Sequence, residues 1–299
     1  MRAAMKNAHP VTSQVVFAVG LVVALPVVSF WALRDAPHWH LMWGLTFAIY
    51  ASLKWLSFAT SRLAERATWG RSLGYLMLWP GMNANAFFDD RQSVEKPRPR
   101  EWLFAVGKVL AGLMLFGIAS RIWSAHGLAA GWLGMIGFAF VLHFGLIHLV
   151  SLAWRWSGVK ADRIMNFPLL ASSLSDFWGK RWNTAFRDLS FAYVFRPLVG
   201  RMGVAWTTLL VFLTSGLIHD FVISLPVRAG FGRPTLYFML QGFGLLAERS
   251  QWGRTIGLGH GVVGRLACAL FVVAPLGLLF HEPFIRETIV PTLVALGAM

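Results

Sequence analysis

Val204-Ala-Trp-Thr-Thr-Leu-Leu-Val-Phe-Leu-Thr-Ser-Gly-Leu-Ile-His-Asp-Phe-Val-Ile-Ser-Leu-Pro226 is long and apolar enough to cross a bilayer, and it carries an imidazole in its second half. A spanning helix needs about 20 mostly apolar residues. Ser13 to Leu33, Trp39 to Ala59, Leu103 to Trp123, Leu128 to Ala153 and Val262 to Phe280 meet the same condition, with Lys54 expected to snorkel. Thr235 to Ala247 is short for a span, and Val290 to Met299 is too short to cross alone. Tyr75 to Pro80 and Met165 to Leu170 read as re-entrant or interfacial. Only helices or closed barrels satisfy their backbone in lipid. The expected fold is therefore all-α: a polytopic transmembrane bundle of about seven to eight spans plus interfacial helices, one integral-membrane domain over residues 1–299.

Composition supports this reading. Of 299 residues, 57% are hydrophobic and 13% charged, against about 45–50% and about 25% in soluble domains. The 15 Trp and 24 Phe exclude a disordered chain, and one Cys excludes a disulfide scaffold or a cysteine metal cluster. The net charge of +14 would suggest nucleic acid in a soluble protein. Once spans are placed, most of the 27 basic residues fall on the side of Arg2 and Lys6. The positive-inside rule then puts the N-terminus in the cytoplasm, with the first span as a retained signal anchor. No nucleic-acid partner is expected.

Two long loops fall on that same side. Thr60 to Trp102 ends in a basic, proline-rich run, Arg91 to Arg100, that reads as a hinge or surface arm. Trp154 to Gly203 mixes apolar and charged residues as interfacial amphipathic helices do.

The second loop contains Ser173-Leu-Ser-Asp-Phe-Trp-Gly-Lys-Arg-Trp-Asn183. On a helix Asp176 and Lys180 are four apart and can pair, and Phe177 can meet Lys180 or Arg181 in a cation–π contact. The run also suits an interfacial anchor, with aromatics at headgroup depth and basic residues on phosphate. That second reading leaves Asn183 unexplained, because an amide among apolar walls needs a partner. His219 poses a similar choice. Ionisable groups within spans are functional candidates, yet polar side chains also bond across helices for structural reasons. Ser215 lies one turn before it on the same face. His143 and His148, five apart, do not share a face, so they do not form a metal pair, and no metal site is expected. His281 and Glu282 read as a membrane-interface cap, and Asp89 with Asp90 as a solvated loop or a carboxylate pair.

Together, residues 173–183 and Ser215-Gly-Leu-Ile-His-Asp220 resemble the two signatures of the wax synthase branch of the membrane-bound O-acyltransferases. Trp79-Pro-Gly-Met-Asn-Ala-Asn-Ala-Phe87 and Phe280-His-Glu-Pro-Phe284 resemble stretches of its bacterial members. The likeness covers about residues 75–285. Ser175 stands where Gln is common, and Asp220 where plant members usually have Glu. The resemblance implies a helical bundle around a membrane-embedded tunnel in a bacterial inner membrane. It also implies acyl transfer from acyl-CoA, as co-substrate and with no other cofactor, to the hydroxyl of a lipophilic alcohol. His219 and Asn183 would be catalytic, and Asp176, Trp178, Lys180, Arg181, Trp182 and Ser215 would bind substrate. Lys180, Arg181, Arg187 and the Arg91–Arg100 arm would face either the CoA head or membrane lipids. A sterol, a diacylglycerol or a polar metabolite stays open as acceptor. A transporter whose His219 binds substrate stays open as a different class, although the chain lacks the repeated halves common in transporters.

Overall fold

The computed structural model describes residues 13–298. Arg2, Lys6 and Met299 lie outside the described residues. Seven long helical segments carry the chain: α1 (Ser13–Leu33), α2 (His38–Ala59), α3 (Pro99–Ile122), α4 (Gly127–Trp156), α5 (Thr184–Val227), α6 (Arg233–Arg249) and α7 (Gly261–Leu279). A short terminal helix, α8, covers residues 282–295. Five of these, α1, α3, α4, α5 and α7, are long and apolar enough to cross a membrane. Among the described residues no strand occurs. The protein is an all-α, polytopic membrane bundle, as its apolar segments demand.

Several boundaries shift for identifiable reasons. Pro99 opens α3, where a missing amide N–H is harmless, and the Glu101 carboxylate accepts from the Arg98 amide at 3.0 Å, closing its first turn. The expected basic arm is therefore tied down rather than free: Arg155, at the end of α4, donates to the Glu95 carbonyl and to the Glu101 carboxylate. Helix also precedes the expected span, from Thr184 through a π-type turn at Phe191–Phe195, but the non-helical Gly203 (φ 75°, ψ 168°) breaks it, so the span proper starts at Val204 as expected and runs on through a second π-type turn at Asp220–Ser224. Gly203, at φ 75°, bends α5 where a side chain would be strained.

Helix α6 sits inside the bundle. It packs along α5 and buries Tyr237, Phe238, Gln241, Gly242 and Gly244. A Cβ at Gly244 would lie 2.8 Å from Phe271 of α7 and 2.9 Å from Leu174. A Cβ at Gly216 of α5 would lie 2.6 Å from the Thr235 Cα of α6, so small residues bring these two helices into backbone contact, the usual device where lipid offers no hydrophobic drive. The 154–203 segment is more deeply held than an interfacial loop: Ala161, Ile164, Leu174 and Phe177 are buried. Leu169 and Leu170 project outward, as do Trp156 and Phe191. Lys54 does not snorkel. It is 1% exposed, donates to the Gly81 carbonyl, and lies 3.3 Å from the Tyr75 ring centre, bolting the 79–83 segment to α2.

Candidate active site

The Ser173–Asn183 segment folds as one short turn followed by a π-type turn, Phe177–Arg181. Ser173 caps its start by accepting from the Asp176 amide at 3.1 Å. Glu248 of α6 accepts from the Leu174 amide at 2.6 Å and the Ser175 amide at 3.1 Å. A carboxylate at these free N–H groups is favourable both by charge and by hydrogen bonding.

The wider π-turn changes the expected pairing. Asp176 meets Arg181, five residues on, rather than Lys180, four on. Such a turn aligns residues i and i+5. Burial pushes the Asp176 carboxyl up, but Arg181 and the Ser172 amide outweigh it and hold it below the usual carboxylate range. Phe177 stacks on Trp182, centroids 5.5 Å apart at 12°, in place of a cation–π contact. Trp178 donates to Gln241 at 3.3 Å, and Gln241 donates to the Phe271 carbonyl at 2.6 Å. Asp176 and Arg181 therefore brace the turn, while exposed Lys180 points to a polar cavity.

Asn183 follows with φ 41°, a left-handed conformation that Asn tolerates better than most residues. Its Oδ1 caps α5 by accepting from the Phe186 amide at 3.1 Å. With that oxygen committed, the rest of its side-chain amide is the two-donor Nδ2 group. His219 lies on the same long helix, one π-interrupted run later. Its Nδ1 is 2.7 Å from the Ser215 carbonyl. A carbonyl only accepts, so Nδ1 carries the proton and Nε2 keeps its lone pair. The Phe238 ring of α6, 4.4 Å away, holds the imidazole from one side.

Two cavities meet at this pair. One, of about 360 Å³, is lined by Trp178, Trp182, Phe186, Phe212, Ser215 and Phe238 together with Asn183 and His219. The other, of about 280 Å³, is lined by Tyr50, Leu53, Met82, His143, Met165 and Val222, again with Asn183 and His219. A third, of about 570 Å³, is polar, with Arg155, Lys160, Arg163, Lys180 and Arg187 against Glu101, Asp162 and Asp188. It shares Arg187 with the first cavity and Met82, Ile164 and Ala185 with the second.

Of the residues singled out in the sequence, Asn183, His219, Trp178, Trp182 and Ser215 come together, Lys180 lines the polar cavity, and Asp176 and Arg181 lie in the bracing pair. His143 faces the second cavity, whereas His148 pairs with Lys108 at 2.9 Å, which separates the two as their spacing implied. Asp90 pairs with Arg71, and Asp89 accepts from the Arg91 amide at 3.1 Å, so the two carboxylates serve the loop. Among the described residues, no group of three His, Cys, Asp or Glu side chains is arranged to hold a metal ion.

Sequence reasoning missed Phe238, Arg155, Arg163 and the role of His281. The Phe284 amide donates to His281 Nδ1 at 3.3 Å, so the neutral ring carries its proton on Nε2, 3.3 Å from the Ser224 hydroxyl. Ser224 in turn donates to Asp220 Oδ1 at 3.0 Å. Asp220 also accepts from the Gly232 amide at 2.8 Å, the Thr235 amide at 3.0 Å and the Thr235 hydroxyl. The residue after His219 thereby clamps the start of α6, the helix that supplies Phe238. The His-acid pair at 281–282, matching the pair at 219–220, was the available signal.

Residues 161–240, which contain both Asn183 and His219, match the model of the membrane bound O-acyl transferase family. The resemblance read from the two motifs is borne out, and its relatives lie in the wax synthase-like branch. The chain is 33% identical over 143 residues to the probable long-chain-alcohol O-fatty-acyltransferase 9 of Arabidopsis thaliana, covering 44% of this chain and 42% of that one. It is 31% identical over 138 residues to the long-chain-alcohol O-fatty-acyltransferase of Simmondsia chinensis, covering 41% and 38%. The matches span less than half the length of these relatives.

Proposed function

We propose that this protein is an acyl-CoA-dependent O-acyltransferase that esterifies a lipophilic, long-chain alcohol. The observation that carries the reading is that His219 and Asn183 line two separate cavities at once. A transferase for two lipid substrates needs a shared wall bearing the reactive groups. The relatives' names, long-chain-alcohol O-fatty-acyltransferases, favour this substrate pair over a sterol, a diacylglycerol or a polar metabolite.

The chemistry follows from the two side chains. His219 Nε2 takes the alcohol proton as the oxygen attacks the thioester carbonyl carbon. The carbonyl oxygen becomes an oxyanion and accepts from Asn183 Nδ2. The C–S bond then breaks, the ester forms, and the imidazolium returns its proton to the leaving thiolate. Apolar walls on both sides keep water from the thioester. The polar cavity suits the phosphates of CoA, with five basic side chains facing three acids. This reading places that cavity and the N-terminus on the cytoplasmic face of a bacterial inner membrane.

The test is ester formation by purified protein from labelled acyl-CoA and a panel of alcohols. Wild type should esterify long-chain alcohols, and His219→Ala should not; full activity in His219→Ala would remove the proposed base.

A further inference from the structure

One cationic cluster lies outside this site. Arg100 and Lys108 stand on α3 and line an open groove of about 530 Å³, together with Leu103, Phe104, Gly107 and Phe140. Arg100 is exposed at the start of the span, whereas Lys108 lies two turns inside it, about 12 Å along the axis. A lysine at that depth is unfavourable unless its ammonium is supplied with partners. Its Nζ has one hydrogen-bond acceptor, His148 Nδ1 at 2.9 Å, and rests 4.8 Å from the Phe104 ring centre. Phe104 is one turn nearer the helix start, so the lysine leans toward Arg100, as helical side chains do. His148 is neutral in this pairing, since its Nδ1 accepts; its Nε2 is buried and finds no partner among the described residues.

Among the described residues, no carboxylate pairs with Arg100 or Lys108. Glu101, the acid at this end of α3, is engaged by both Arg155 and Arg163. Lys108 thus retains two donors and an uncompensated charge beside an open groove on α3, a helix long and apolar enough to cross a membrane. A bare Cα at Gly107 widens the groove, where an added Cβ would meet nothing within 4 Å.

We propose that this groove is a binding site for an anionic phospholipid, with its phosphate between Arg100 and Lys108 and one acyl chain along Gly107 and Phe140. A zwitterionic lipid offers the same phosphate but brings its own cation against Arg100, so the site discriminates by net charge. The site is separate from the acyl-transfer cavities and does not depend on that activity.

Native mass spectrometry of the intact protein, released from detergent with equal phosphatidylglycerol and phosphatidylcholine, tests it. Wild type should retain one phosphatidylglycerol preferentially. Each basic residue near a membrane face favours anionic lipid by about fivefold, so Arg100→Gln, at an exposed position, should cut the preference by about that factor. Lys108→Met should do the same, and Gly107→Leu should displace the lipid with both charges intact. Equal retention of the two lipids by wild type, or an unchanged preference in Arg100→Gln and Gly107→Leu, overturns the proposal. So does retention of glycerol phosphate by wild type equal to that of phosphatidylglycerol, because the groove would then have no role.

Discussion

His219 Nδ1 is bound to the carbonyl of Ser215, 2.7 Å away and one turn earlier on the same helix. The contact sets the tautomer and frees Nε2 toward the cavities without any carboxylate behind the ring. The orienting group that a sequence reader would seek in a third side chain is the backbone itself. Ser215→Ala should therefore leave most activity intact, since its hydroxyl is not what holds the ring, whereas His219→Ala should lose about 10²–10⁴-fold in ester formation. Radiolabelled ester yield from matched amounts of folded protein measures both.

Asn183 has two separable duties. Asn183→Asp keeps an oxygen for the Phe186 amide and tolerates the left-handed backbone, but loses the Nδ2 donors. It should fold normally and lose about 10²–10³-fold in kcat. Asn183→Ala should lose the same activity and, in addition, about 1 kcal/mol of helix capping. Thermal unfolding in detergent beside kinetics separates the two duties; equal activity in Asn183→Asp and wild type would remove the amide from the site.

His281 should act as a positioning residue through Ser224 and Asp220. His281→Asn retains an acceptor at the Nδ1 place for the Phe284 amide but cannot reach Ser224. A loosened α5–α6 junction shifts His219 against the substrates, and misplacement of about 1 Å costs up to 10²-fold. The expected outcome is a fall in kcat with little change in KM, and no further fall when Ser224→Ala is added. Additive losses in the double variant would show that the two act separately.

Lys180 and Arg181 are neighbours with different duties. Lys180→Gln should raise KM for acyl-CoA several-fold, an effect that shrinks at high ionic strength, and leave the melting temperature unchanged. Arg181→Gln should lower the melting temperature, because it leaves Asp176 without its cation.

Asp176 also sets an acid limit. Its folded carboxyl titrates below the ordinary range. The stabilisation is complete above that ordinary value and is lost as pH falls through the lower, folded one. Unfolding curves of wild type should steepen in acid over this window, and those of Asp176→Asn should be flatter and start from lower stability.

Much of this protein was legible in its residues. Long apolar runs announced the bundle, because lipid admits no other backbone arrangement for them. The rarity of an imidazole in such a run drew attention to His219, and the cost of an amide between apolar walls drew attention to Asn183. The sites of failure were local in cause. Asp176 was matched with Lys180 on the geometry of an ordinary helix, while the π-turn at 177–181 rotates Arg181 into place. Lys54 was expected at a membrane surface, while the Gly81 carbonyl and the Tyr75 ring hold it in the interior.

Span, periodicity and the two motifs thus followed from the chain by itself, since each depends on residues within a few turns of one another. Tertiary structure alone decided that His219 and Asn183 share two cavities, that Phe238 backs the imidazole, and that His281 reaches Ser224 across 57 positions. Those relationships arise from helices packed side by side, and no local spacing encodes which faces meet.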